Sequence, residues 1–350
     1  MTTSGLNRFS ELGFRNGKSV GNRVVVPPMA SETADELGYV TAKTLSHYER
    51  LARSGAGLVM LEYTYIDPSG RSERNQLGIY SDGQIADLAR IADAIHQAGG
   101  LAGIQLTHSG GKTSRDLTGG VLMAPSAIAV PVKDREMERP DGMSLAEIHL
   151  WKTSFELAVG RASDAGFDLV EFHAAHGYGL NQWLSPITNH RSDKYGGTSE
   201  GRARLLLEIV EAARSAHPEL LFAVRMPGQD FLEDGLSPGD AVWIAKKLEA
   251  VGVDLIDVSS GIGGWRRPRD RRGEGYLVSE ASAIQSAVAI PVIGVGGIER
   301  GTFIDDVVAS GVVSLTAVGR AILRDPEAWR EQNMVLGFQV PVVVSGRVVV

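Results

Sequence analysis

Two histidines and a tyrosine stand close together mid-chain: His173, His176 and Tyr178, in the run HAAHGY. Two neutral imidazoles can each donate an N–H to one oxygen, polarising a carbonyl and stabilising an enolate as its charge develops. A tyrosine has an ordinary pKa of about 10, stays protonated at neutral pH and can supply a proton. The same residue types also admit plainer roles. The histidines could be satisfied loop residues and the tyrosine a packing residue. Or the histidines could be two ligands of a metal completed by Glu171, His108 or His190. Gln105 and Arg225 are polar residues at the ends of short apolar runs. A buried arginine demands partners, which an electron-rich ligand ring or a salt bridge would supply. Further on, Gly294, Gly296 and Gly297 in GVGG, and then Gly319-Arg320, offer bare backbone N–H groups and a planar cation. That is the chemistry of a phosphate site, although tight turns alone would also use these glycines. This inventory is polar, glycine-rich and short of carboxylates.

Residues scattered this widely need a scaffold that gathers them. Short runs rich in Val, Ile and Leu recur at 23–28, 57–65, 101–106, 168–172, 220–225, 253–258, 291–295 and 312–318. Each reads as a strand buried on both faces. Amphipathic stretches with helical spacing lie between them at 41–54, 82–98, 144–165, 199–216, 237–250 and 300–310. Ser81, Ser144, Ser199 and Ser237 are candidate N-caps. Gly100, Gly166, Gly252 and Gly311 are candidate helix stops. Eight such strands with intervening helices mean a closed (β/α)₈ barrel or a doubly wound sheet, and the strand count favours the TIM-type barrel. One such domain would span residues 1–350. The histidines, Gln105, Arg225 and the glycines all fall at strand C-terminal ends, where barrel active sites sit. The long non-periodic stretch 107–143 belongs on the same face.

Composition narrows the chemistry. The chain has 350 residues, a net charge of −7 and no cysteine. Disulfides, thiol nucleophiles and cysteine-held zinc or iron–sulfur clusters are excluded. The negative charge argues against nucleic acid as a partner. The basic run Arg266–Arg272 is a local exception that could meet a cofactor phosphate or an acidic substrate, or simply be solvated. No apolar run approaches the roughly 20 residues of a spanning helix, and the N-terminus lacks the apolar core of a secretory signal. A soluble cytoplasmic protein is expected.

The chain resembles the old yellow enzyme family, FMN-dependent ene-reductases built on a (β/α)₈ barrel. The run FHAAHGYGLNQWLSPITNHRSDKYGGTSEGR, Phe172–Arg202, carries most of that resemblance. VPPM at Val26–Met29, IQLTHSGGK at Ile104–Lys112, MAPSAI at Met123–Ile128 and AVGRAILRDP at Ala317–Pro326 extend it from about Asn7 to Arg330. The bacterial, shorter-loop branch is the most similar. The resemblance implies FMN as cofactor and NADPH or NADH as reductant. Pro28 and Met29 would border the flavin. Gln105 would bond its pyrimidine edge, and Arg225 would sit by N1 and the C2 carbonyl. Gly296, Gly297, Gly319 and Arg320 would hold the phosphate. His173 and His176 would bind the activating oxygen of an unsaturated small molecule, and Tyr178 would protonate the carbon beside the activating group. The implied cycle is ping-pong, nicotinamide and acceptor using one place in turn. A dimer or tetramer is implied by analogy.

Three residues depart from the family pattern. Ala30 stands where Cys or Thr is common at the flavin's reactive face. Glu32 falls where a substrate-facing tyrosine is frequent, and Tyr63 replaces a small residue that could contact flavin or pocket. The tail 337–350 carries Arg347, a candidate for reaching a neighbouring subunit's site, or else covers the barrel or a dimer contact. Competing readings are an FMN barrel dehydrogenating a ring compound, a flavin-binding barrel with little turnover, and a metal-dependent aldolase-like barrel.

Overall fold

The computed structural model describes residues 5–133, 135–264, 268 and 270–335. Its centre is a closed, wholly parallel barrel of eight strands in sequence order. These are β1 (Val24–Val26), β2 (Leu58–Tyr65), β3 (Leu101–Thr107), β4 (Leu169–His173), β5 (Leu221–Pro227), β6 (Leu255–Ser259), β7 (Val292–Gly294) and β8 (Leu315–Ala317). β8 pairs with β1 through Thr316↔Val24 and Ala317↔Val25, which closes the ring. β1, β2, β7 and β8 are shorter than their apolar runs, whose ends leave the ladder to enter loops, whereas β3, β4, β5 and β6 run one or two residues past theirs at the C-terminal end.

The expected helices form as α1 (Ala42–Ala52), α2 (Ile85–Gln97), α3 (Leu145–Asp164), α5 (Ser199–Ala216), α6 (Pro238–Ala250) and α8 (Gly301–Ala309). Four shorter helices lack a long amphipathic stripe and escape a periodicity reading: α4 (Gly179–Leu184), α7 (Val278–Gln285), α9 (Arg320–Arg324) and α10 (Pro326–Asn333). Ser144 and Ser237 close capping boxes with Glu147 and Asp240. The cap of α5 is Thr198, not Ser199, because the Thr198 hydroxyl is the one that accepts Gly201 N–H. After α2 the left-handed residue is Gly99, at φ +86°, rather than Gly100.

Strand alternation sorts the apolar residues into two cores. Val59, Leu61, Ala102, Ile104, Val170 and Phe172 face outward and pack under the helices. Val25, Leu58, Met60, Leu169, Leu221, Ala223, Leu255, Ile293 and Leu315 face inward and fill the barrel. An antiparallel hairpin, Leu12–Gly13 with Ser19–Val20, closes the N-terminal end, where Leu12, Phe14 and Val20 pack on the inner core. Among the described residues no helix is long and apolar enough to cross a membrane.

Candidate active site

The inward parity that gives Leu169, Leu221 and Leu255 at the barrel floor gives polar residues one layer up. On β4 it gives Glu171 and then His173; on β5, Arg225; on β6, Asp257 and then Ser259; on β3, Gln105. All six are buried. Gln105 Nε2 donates to Glu171 Oε1 at 2.8 Å, and Arg225 Nε lies 3.1 Å from Asp257 Oδ2. A salt bridge is thus one answer to the partner that Arg225 requires. Burial raises the Glu171 pKa, the Asp257 charge adds to it, and Arg225 opposes both. Burial likewise raises Asp257, again against Arg225. The strand-end inventory is therefore not short of carboxylates: two lie just beneath the polar rim, on the inward face of their strands.

Above this layer a cavity of about 570 Å³ opens, within the range of small-molecule sites. Every residue that the family resemblance places around cofactor and substrate lines it. Pro28, Met29, Ala30 and Glu32 come from the loop after β1, Tyr63 and Gln105 from β2 and β3. His173, His176, Tyr178 and Arg225 come from β4, the turn after it and β5; Gly296, Gly297, Gly319 and Arg320 follow β7 and β8. The histidine rings meet edge to face with centroids 5.1 Å apart, and His173 lies 5.0 Å from Tyr178. Burial lowers both histidines well below the usual imidazole pKa, and the Arg225 and Lys112 charges add to this. Both are neutral at physiological pH. His173 Nδ1 is buried without a protein partner. Burial raises Tyr178, hydrogen bonding with Tyr63 and Ser72 opposing, so its phenol keeps its proton at neutral pH.

Tyr63 reaches the cavity through a fault in the ladder. The β2–β3 register runs Leu61↔Ile104 and then Tyr63↔Gln105, so Glu62 is an extra residue. Simple alternation would point Glu62 inward and Tyr63 outward. The bulge reverses that parity. Glu62 instead meets Tyr48 of α1 at 3.2 Å, while the Tyr63 ring lies 5.3 Å from Tyr178.

The opposite wall is built from glycines. Gly296 has φ +124° and Gly297 φ +65°. A Cβ on Gly296 would stand 2.7 Å from Tyr276 N, and one on Gly297 would stand 3.5 Å from the Arg320 guanidinium. Gly319 faces Met29 Sδ, 3.3 Å from where its Cβ would be, so the ends of β1 and β8 meet there. This is a cradle of bare backbone with a cation at its edge.

Several lining residues were not singled out in the sequence: Glu73, Ser259, Tyr276, Leu277, Val295 and Ile298 among them. Ser259 lies just past the apolar run that marks β6, and extending the inward parity of Leu255 by four residues would have found it. Glu73 and Tyr276 sit in loops without periodicity, and no local signal marks them. Two of the three candidate metal partners of the histidines are engaged elsewhere, and the third is exposed. His108 accepts Gly110 N–H at 3.1 Å and packs at a tilt against Trp151, Glu171 holds Gln105, and His190 is exposed, with its backbone N–H donating to Ser126. Among the described residues no group of three His, Asp or Glu is placed to hold a metal. In the basic run, Arg271 does not itself line the cavity, although its guanidinium donates to the carbonyl of the lining residue Tyr276 at 3.0 Å. It makes a two-pronged ion pair with Glu280, at 2.5 and 2.6 Å, which anchors the β6–α7 loop. Arg266, Arg267, Arg269 and Arg347, with the rest of the tail 337–350, lie outside the described residues.

Comparison with known proteins bears on this site as a whole. The model of the NADH:flavin oxidoreductase / NADH oxidase family matches residues 9–333. An NADPH dehydrogenase of Bacillus subtilis (strain 168) is 36% identical over 325 residues, covering 93% of this chain and 94% of its own. The structure of an old yellow enzyme homologue from Zymomonas mobilis aligns with a TM-score of 0.79 at 26% identity, covering 93% of this chain and 92% of that one. Morphinone reductase in complex with tetrahydroNAD aligns with a TM-score of 0.78 at 26% identity, covering 93% and 90%.

Proposed function

Because the chain belongs to the NADH:flavin oxidoreductase / NADH oxidase family and is an FMN-dependent NAD(P)H oxidoreductase of the old yellow enzyme type, we propose that it reduces the C=C bond of α,β-unsaturated carbonyl and related compounds in a ping-pong cycle. The observation that carries this reading is the wall formed by His173, His176 and Tyr178: two neutral imidazoles and a protonated phenol facing one cavity.

The residues fit FMN. The cradle of Gly296, Gly297 and Gly319 with Arg320 suits a phosphate, because backbone can approach closely only where no Cβ intervenes. Gln105 and Arg225 suit the polar edge of the isoalloxazine, and Pro28, Met29 and Ala30 its border. Bound there, FMN supplies hydride transfer between the nicotinamide and the acceptor.

The chain's own residues account for the rest. His173 and His176 hold the acceptor's oxygen by N–H donation, which strengthens as negative charge builds there. Their neutrality matters: a single fixed proton on each ring donates without being lost to the product. Tyr178 delivers its phenolic proton to the carbon beside the activating group. Met29, Leu277 and Val295 give the cavity apolar walls. Ala30 contributes no hydrogen-bonding side chain. Glu32, strained at φ +51°, and Tyr63 shape the substrate end.

Replacing His173 by Ala is expected to lower kcat/KM for 2-cyclohexenone by about 10²–10³-fold, the usual loss of one oxyanion donor. The flavin absorbance should persist. Anaerobic titration with NADPH and then enone reads both half-reactions. Full turnover by the FMN-loaded variant would overturn the assignment, as would wild-type flavin that bleaches with NADPH but is not recoloured by any enone.

A further inference from the structure

His176 is held in a conformation that residues with side chains rarely adopt, at φ +60°. Three contacts fix it. Its N–H donates to the Ser260 carbonyl at 3.1 Å. Its own carbonyl accepts from Lys112 Nζ at 2.6 Å. Its ring Nε2 lies 2.7 Å from Ser259 Oγ. Strained backbone of this kind persists only where the surroundings over-determine it.

The ring contact bears on the chemistry. A neutral imidazole has one proton for two nitrogens, so the partner of one nitrogen decides what the other can do. His176 is buried among the Arg225 and Lys112 cations and carries no second proton. Ser259 is itself buried at the end of β6. Among the described residues, His176 Nε2 is the hydrogen-bond partner found for its hydroxyl. Were Nε2 protonated, the Ser259 oxygen would accept and its own hydrogen would have no protein acceptor among the described residues, which is costly at a buried hydroxyl. With the hydroxyl as donor, both groups are satisfied and the imidazole proton resides on Nδ1.

We propose that Ser259 is a positioning residue whose hydroxyl donates to His176 Nε2, fixing the Nδ1–H tautomer and so making Nδ1 the donor to the acceptor's oxygen. The inference rests on the reading of His176 as an oxyanion donor. It adds that this donor is set by a second residue, on a different strand, that need not touch the substrate.

The test uses the FMN-loaded protein labelled with ¹⁵N-histidine. Ring ¹⁵N shifts of the wild type should report His176 protonated at Nδ1. Ser259→Ala should show a tautomer mixture, and Ser259→Thr, which keeps the hydroxyl, should restore the wild-type pattern. The dissociation constant of 4-cyanophenol, whose oxygen stands in for the enolate oxygen, should rise about tenfold in Ser259→Ala. It should return in Ser259→Thr, each variant being titrated as the FMN-saturated protein. Wild-type shifts and wild-type phenol affinity in Ser259→Ala would overturn the proposal. The underlying reading fails separately, if His176→Ala binds the phenol as tightly as the wild type.

Discussion

Glu62 is the carboxylate whose surroundings bear most directly on the active-site loops without lining the cavity. Ser31 Oγ donates to it at 2.5 Å, Ser31 N–H at 3.3 Å, and Tyr48 OH at 3.2 Å. It thus ties the segment carrying Ala30 and Glu32 to α1. Burial raises its pKa to about 7; the bonds from Ser31 and Tyr48 oppose the rise, and the Glu32 charge adds to it. A carboxyl raised in the folded state binds more protons there than in the unfolded chain. Its contribution to stability is therefore complete below the unfolded value and is lost as pH rises towards about 7. A rise of that size corresponds to about 3 kcal/mol. Glu62→Gln, which has no such charge to bury, should show a flatter dependence. Denaturation midpoints of the two proteins between pH 4.5 and 8 should diverge with rising pH in favour of Gln. Parallel pH profiles would show that Glu62 is ionised, and compensated, throughout.

The elements explain both what the sequence made legible and what it hid. The alternation of inward and outward residues runs through each strand, so the barrel and the places of Gln105, His173 and Arg225 follow from short apolar runs and their ends. Glu171, Asp257 and Ser259 obey the same alternation, but they sit inside runs or one residue beyond them, where nothing in their type announces a site. Tyr63 breaks the alternation. Its place in the cavity depends on the bulge at Glu62, which depends in turn on the bonds that Glu62 makes to Ser31 and Tyr48, and these are visible only in three dimensions. The loop after β7 has a different logic. Gly296 O accepts from Gly275 N at 2.7 Å and Tyr276 N at 3.2 Å, locking this turn to the segment before α7 at a φ that only glycine adopts readily. Gly296→Ala would force that segment away and cost about 1–3 kcal/mol of local strain. Since the turn at Gly296 forms the cradle, FMN affinity should fall by roughly 10–100-fold, read by quenching of flavin fluorescence on titration. Unaltered affinity would mean that the phosphate is held elsewhere.

At the scale of the whole molecule the two ends of the barrel do different work. The N-terminal end is held by charge and packing without a ligand. Lys18 Nζ lies 2.5 Å from Asp168 Oδ1, and Asp168 Oδ2 takes His96 Nε2 at 2.7 Å and Ala102 N–H at 2.9 Å. Burial pushes the Asp168 pKa up, but these partners outweigh it and leave the carboxyl below its usual value. Asp254 repeats the device beneath β6, with Arg15 at 2.5 Å and Phe222 N–H at 2.8 Å. The C-terminal end has the opposite character: glycines at positive φ, an imidazole nitrogen without a protein partner, and buried polar groups that a ligand would satisfy. A ligand that binds only the folded state stabilises it by RT ln(1 + [L]/Kd), about 2.7 kcal/mol at a hundredfold excess over Kd. Stripping FMN should therefore lower the melting temperature by several degrees, and adding it back should restore the loss with logarithmic dependence on concentration. Asp168→Ala removes a buried acceptor of three donors and should cost about 2 kcal/mol. Because the two sites share no partners and lie at opposite ends of the strands, the costs should add. The variant should lose the same stability with and without FMN, and its affinity for FMN should match the wild type's. Unequal losses would mean that the barrel transmits strain from floor to cavity, and that the division between an end that carries stability and an end that carries chemistry does not hold for this protein.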